Sequence, residues 1–61
     1  MKEGDRVRIL RDEDAEGMDD NAGQLGTIYL VDNGDWTTYL DIDLDNGDTM
    51  LCVNSIDVEV L

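Results

Sequence analysis

Leu40, Ile42 and Leu44 alternate with Asp41, Asp43 and Asp45, a strict period of two across residues 40–45. Successive side chains on an extended backbone point to opposite sides, so this pattern predicts a strand with one face on a core and the other in water. Asn46-Gly47 follows directly. That pair predicts a hairpin, because a type I′ turn needs positive φ at both central residues. A loop made of these two residues sets Asp45 opposite Asp48, Leu44 opposite Thr49, Ile42 opposite Leu51 and Leu40 opposite Val53. One face of the hairpin is then apolar, and the other carries Asp41, Asp43, Asp45 and Asp48.

The same reading extends in both directions. Residues 6–10 predict a first strand after a turn at residues 2–5, with Val7 and Ile9 inward and Arg6 and Arg8 outward. Arg6, Arg8 and Arg11 are expected to pair with acids on neighbouring strands. Residues 26–32 predict a second strand, with Ile28 and Leu30 on one face and Thr27, Tyr29 and Val31 on the other. A two-residue Asn33-Gly34 loop would place Ile28 against Tyr39. A longer loop or a bulge pairs Ile28 with Leu40 and Leu30 with Thr38, which keeps the aliphatic residues together and is the expected arrangement. The third strand is expected over residues 36–45, leaving Tyr29, Trp36 and Tyr39 on the outer face or at strand ends. There they either cover the open edge of the fold or form a recognition patch, a role in which Trp and Tyr are common. Residues 54–57 fit one 3₁₀ turn with Ile56 inward, and residues 58–61 a last short strand with Val58 and Val60 inward. Between the first two strands, residues 11–25 show no apolar period and many acids, so they predict a long polar loop. Met18 is expected to cap the end of the fold there.

Composition narrows the chemistry. The chain has 61 residues, sixteen Asp and Glu against four Lys and Arg, a formal net charge of −12, one Cys and no His or Pro. That length supports one domain near the lower limit for folding without disulfides or metal. A lone Cys52 forbids an internal disulfide and points to a reducing, cytoplasmic setting; it is expected to be a small buried or half-buried hydrophobe. The opening residues 1–5 carry no apolar run behind Lys2, so neither a signal peptide nor a membrane span is expected. The charge repels nucleic acid and anionic lipid and attracts cationic proteins.

No cofactor motif is legible. Zinc needs Cys or His clusters, and a calcium loop counted from Asp41 would need Gly sixth and Glu twelfth, where Asn46 and Cys52 stand. Cys52 has no His as base, and a small barrel leaves little room for a cleft of a few hundred Å³. The expectation is therefore a protein without catalytic residues, metal or cofactor.

Five short strands, a long loop after the first, hairpins in the middle and a 3₁₀ turn before the last follow the element order of an SH3-like barrel, in which closure removes the strand edges. The expected fold is all-β, one five-stranded barrel domain over residues 1–61. Gly4-Asp5-Arg6-Val7-Arg8-Ile9-Leu10, then Gly23-x-x-Gly26-Thr27-Ile28, an Asn-Gly turn and Ile56-x-Val58-x-Val60 resemble the KOW/Tudor group of such barrels. Residues 7–11 with Gly26-Thr27-Ile28 also resemble the small SH3-like barrel protein of photosystem I, which docks other proteins. The resemblance implies a backbone-turn role for Gly26 and a core role for Ile28. KOW modules that contact ribosomal RNA offer basic or mixed loops, whereas the loop here is acidic, which argues against direct nucleic-acid binding.

The function expected is a small acidic binding module that engages a basic protein surface as adaptor or modulator. Asp41, Asp43, Asp45 and Asp48 on the hairpin and Asp12, Asp14, Asp19 and Asp20 in the loop would steer association, with Trp36 or Tyr39 as anchors. An alternative is a nucleic-acid-mimicking inhibitor, since alternate carboxylates on a strand lie about 6.6 Å apart, near the spacing of phosphates; a phage-encoded protein would suit either role. Another is a KOW-type accessory domain of ribosome or transcription machinery, its acidity an adaptation to salt. Each stands beside a surface that is acidic only for solvation. The chain is expected to be a monomer or weak homodimer.

Overall fold

The computed structural model describes residues 1–11 and 21–61. Strand β1 is Arg6–Ile9, β2 Leu25–Asn33, β3 Thr38–Leu44, β4 Thr49–Asn54 and β5 Val58–Val60, with a 3₁₀ turn at Ser55–Asp57 before β5. All pairings are antiparallel and form one sheet in the order β4-β3-β2-β1-β5. The sheet is not closed into a barrel, so the expected closure is corrected. The three residues of β5 are committed to β1 through Val7↔Val60, Arg8↔Glu59 and Ile9↔Val58. Among the described residues both β4 and β5 therefore remain edges.

One face of the sheet carries the core of Val7, Ile9, Ile28, Leu40, Ile42, Leu44, Val53 and Val58, with Val31 and Met50 packed against it. The alternation in β1 and β3 set these positions directly, because a half-buried strand must put its apolar parity on the covered side. Gly26 sits inside β2 opposite Leu44, so a role in the turn is not what it plays. Gly23 makes the turn instead, with φ +86, and its N–H donates to the Ile9 carbonyl at 2.7 Å.

Two bulges adjust the expected register. In β2 the pairing steps from Ile28↔Ile42 to Leu30↔Asp41, leaving Tyr29 as the extra residue. The expected bulge is present, but Ile28 meets Ile42 and Val31 meets Leu40, so Val31 turns to the core and Leu30 outward, 44% exposed. The loop before β3 takes in residues 34–37, closed by Gly34 N–H donating to the Thr37 carbonyl at 2.9 Å. Trp36 is consequently in a loop and not in the strand expected over residues 36–45.

The second bulge lies in β4. Leu40↔Val53 is as expected, but toward the turn Ile42 pairs with Met50 and Asp43 with Thr49. Leu51 is displaced outward at 62% exposed, and Cys52 adopts φ +55 and is exposed, contrary to its expected burial. Asp41 Oδ1 accepts the Cys52 N–H at 3.0 Å, which satisfies the backbone group that the bulge takes out of the ladder. The β3–β4 turn is also not type I′. Gly47 alone has positive φ, +97, and its N–H donates to the Leu44 carbonyl at 3.1 Å. This is a three-residue loop with its left-handed position at Gly47.

The 3₁₀ turn forms where expected, capped by Asn54 Oδ1, which accepts from the Ile56 N–H. It is turned the other way, however: Ile56 is 68% exposed and Asp57 is 6% exposed. Arg11 explains the preference. Its Nε and Nη2 donate to Asp57 Oδ1 at 3.0 and 2.6 Å, and the Asp57 carbonyl accepts from the Leu10 and Arg11 N–H groups. A satisfied carboxylate can be buried, whereas an unpaired one cannot. Val60, at the edge, is 44% exposed instead of inward.

Candidate acidic face

β3 presents Tyr39, Asp41 and Asp43 on the face opposite Leu40, Ile42 and Leu44. The bulge in β2 adds Tyr29, Leu30 and Asp32, all exposed, beside them. Leu30 is level with Asp41, and Asp32 with Tyr39. The outer face is thus a mixed surface of aromatic and aliphatic groups interleaved with carboxylates. Sequence patterning does not single out Leu30 and Asp32 for this face. The parity conflict around the Asn33-Gly34 loop is the signal that an extra residue has to be accommodated here, but it does not say where.

The hairpin carboxylates do not form one ladder. Asp41 Oδ1 accepts from the Cys52 N–H, and Asp43 Oδ1 accepts from Thr49 Oγ1 at 3.3 Å. Asp45 leaves the strand for the turn and is held by Arg6, whose Nη1 and Nη2 donate to its two oxygens at 2.7 and 2.6 Å. The same guanidinium also donates to Thr27 Oγ1. Asp48 is exposed beyond the turn, its N–H donating to Asn46 Oδ1. Asp12, Asp14, Asp19, Asp20 and Met18 lie outside the described residues. All three arginines meet acids, but the expected pairing across neighbouring strands holds only for Arg8 with Glu59 across β1 and β5; Arg6 reaches Asp45 in the β3–β4 turn and Arg11 reaches Asp57 in the 3₁₀ turn.

No protein-family model, curated protein or solved structure matches the chain.

Electrostatics distinguish the two ends of the hairpin. Hydrogen bonding to Arg6 holds the Asp45 carboxyl below the usual carboxylate range, and the same contact raises the Arg6 guanidinium. Both side chains are about half exposed, so solvent screening keeps the energetic value of this pair small. The Asp45 carboxyl is more acidic in the folded chain than in the unfolded one. The pair thus favours folding above the ordinary carboxylate range and loses that effect as pH falls through the lowered value. At the other end, desolvation and then the fields of Asp41 and Asp43 push the Tyr29 phenol above its ordinary value.

That shift supplies a direct probe of the face. A raised phenol favours folding below its ordinary pKa of about 10, and the effect is lost as pH rises through the folded value. In a Tyr39→Phe background, Tyr29 should ionise later than a free phenol by ultraviolet absorbance. Adding Asp41→Asn and Asp43→Asn should move it back down. An unchanged titration would show that the two carboxylates do not act on Tyr29.

Among the described residues no group of three or more acidic or Cys side chains is placed to hold a metal ion, and no helix is long and apolar enough to cross a membrane. A cleft of about 550 Å³ does exist, lined in part by Tyr39, Met50, Leu51 and Val53. The expectation that a fold this small has little room for one is corrected. The open sheet is the reason, since a closed barrel would fill that space with its own strands.

Proposed function

We propose that this chain is a small acidic, non-enzymatic binding module, built on an SH3-like meander of the KOW/Tudor kind, that engages a basic protein surface. The element order and the 3₁₀ turn before β5 support the fold kinship. The observation that carries the function is the pairing of Asp41 and Asp43 with exposed Tyr29, Leu30 and Tyr39 on one sheet face. Carboxylates there steer a cationic partner, and the adjoining aromatic and aliphatic groups provide area to bury on docking. Trp36, 97% exposed at the β2–β3 loop, is the anchor nearest to Tyr39 in the chain.

The mimicry reading draws less support, because Arg6 takes Asp45 out of the phosphate-like row and leaves Asp41 and Asp43 as its regular part. A salt-adapted accessory domain rests on composition alone.

The test uses a fluorescent lysine-rich peptide as the basic probe. Exposed charge pairs contribute roughly 0.2–1 kcal/mol each, so Asp41→Asn with Asp43→Asn should weaken binding by about fivefold and flatten its salt dependence. Binding that is unchanged while the thermal transition stays intact would overturn the assignment to this face.

A further inference from the structure

We propose that the open edge of β4 is a strand-addition site for an extended cationic peptide segment. The proposal rests on the acidic-module reading and names the form in which the basic partner is bound. Among the described residues no strand pairs with the outer side of β4, which ends the sheet. It has six residues, Thr49–Asn54, a length that spans about 20 Å and is typical of a paired strand. The other edge, β5, has three residues.

Three features of β4 bear on how a strand would add there. The cleft of about 550 Å³ runs along β4 and is mixed in character, with Met50, Leu51 and Val53 beside Asn54 of the same strand and Arg11 and Asp57 across it, so an added strand meets apolar side chains and polar partners together. The bulge turns the Cys52 N–H to Asp41 Oδ1 and opposes addition along the full strand, so regular pairing is confined to the residues flanking it. The strand is bordered by carboxylates, with Asp48 exposed just before it and Asp41 and Asp43 on the adjoining β3.

Charge selects the occupant. A second copy would bring another formal charge of −12 to the same edge, and the repulsion opposes pairing of like chains. An extended peptide with Lys or Arg at alternate positions instead carries its charges about 6.6 Å apart, on the side where Asp41 and Asp43 follow the same repeat. Main-chain hydrogen bonds then give affinity, and the alternate side chains give selectivity.

The experiment titrates the intact chain with a peptide of alternating lysine and valine, about eight residues long, and with the same peptide N-methylated on every second amide. N-methylation keeps the charge and removes strand donors. If the edge is the site, the parent binds about tenfold tighter or better than the methylated form, as expected for a few net hydrogen bonds. Amide exchange at Thr49–Asn54 should also slow on binding. Equal affinity of the two peptides would overturn strand addition while leaving the acidic face in place. No binding of either at low salt would overturn both readings. Protection of β4 amides that grows with protein concentration, without peptide, would assign the edge to a second copy and overturn the proposal.

Discussion

Ile42→Ala should cost about 3 kcal/mol of folding stability and lower the urea midpoint by roughly half. Ile42 is fully buried within β3, paired with Ile28 of β2 on one side and Met50 of β4 on the other. Truncation removes the transfer free energy of three carbons and leaves a cavity that β-strand neighbours cannot collapse to fill, a combination that typically costs 2–5 kcal/mol, or about 3 here. A domain of this size has roughly 3–9 kcal/mol in total. Ile56→Ala is the informative comparison. Its side chain is 68% exposed, so the change should stay within about 0.5 kcal/mol. Similar losses at both positions would mean that Ile56, and not Asp57, faces the core.

Among the described glycines, Gly26→Ala should be the most damaging substitution, lowering the thermal midpoint by roughly 10–15 °C. A Cβ at Gly26 would sit 2.7 Å from the Asp43 carbonyl oxygen and 2.8 Å from Ile42 Cγ2. The first is backbone and cannot rotate away, so β2 and β3 must separate where they pair. Alanine also restricts the unfolded chain, which by itself favours folding by about 0.4–1 kcal/mol. Overpacking of a closed site costs about 1–3 kcal/mol, and loss of ladder bonds adds to it, so the clash wins; about 2 kcal/mol corresponds to that shift in midpoint. Gly47→Ala provides the contrast. No atom lies within 4 Å of its Cβ, but φ is +97, so it should lose only about 1–2 kcal/mol through left-handed strain. A Gly26→Ala protein as stable as the parent would exclude the close approach of β2 to β3.

The pH response has two opposing parts. Acidification first relieves the self-repulsion of a chain with sixteen acids and four bases. It then removes the Arg6–Asp45 contribution once pH falls through the lowered Asp45 value. Stability, followed by urea unfolding across pH, should therefore pass through a maximum below neutrality and fall in strong acid.

The order of strands along the chain, the 3₁₀ turn, and the inward parity of Val7, Ile9, Leu40, Ile42 and Leu44 were all legible in the sequence. Those features are local, since alternation and turn residues act within a few positions. The sequence also set the sign of the surface and the meeting of each arginine with an acid, because few cations stand among many acids, but only the fold chose Asp45 and Asp57 as partners. Tertiary structure decided the rest. The bulges at Tyr29 and at Leu51-Cys52 arise because two strands with their own loops must both offer aliphatic residues to one core, and neither strand contains that demand alone. They moved Leu30 and Leu51 outward and brought Val31 and Met50 in. Whether Ile56 or Asp57 faced inward depended on Arg11, far away in sequence, arriving to neutralise the carboxylate. The open edge of β4 depended on where β5 found its partner. A pairing between distant strands is a choice among competing registers, and only the assembled sheet makes it.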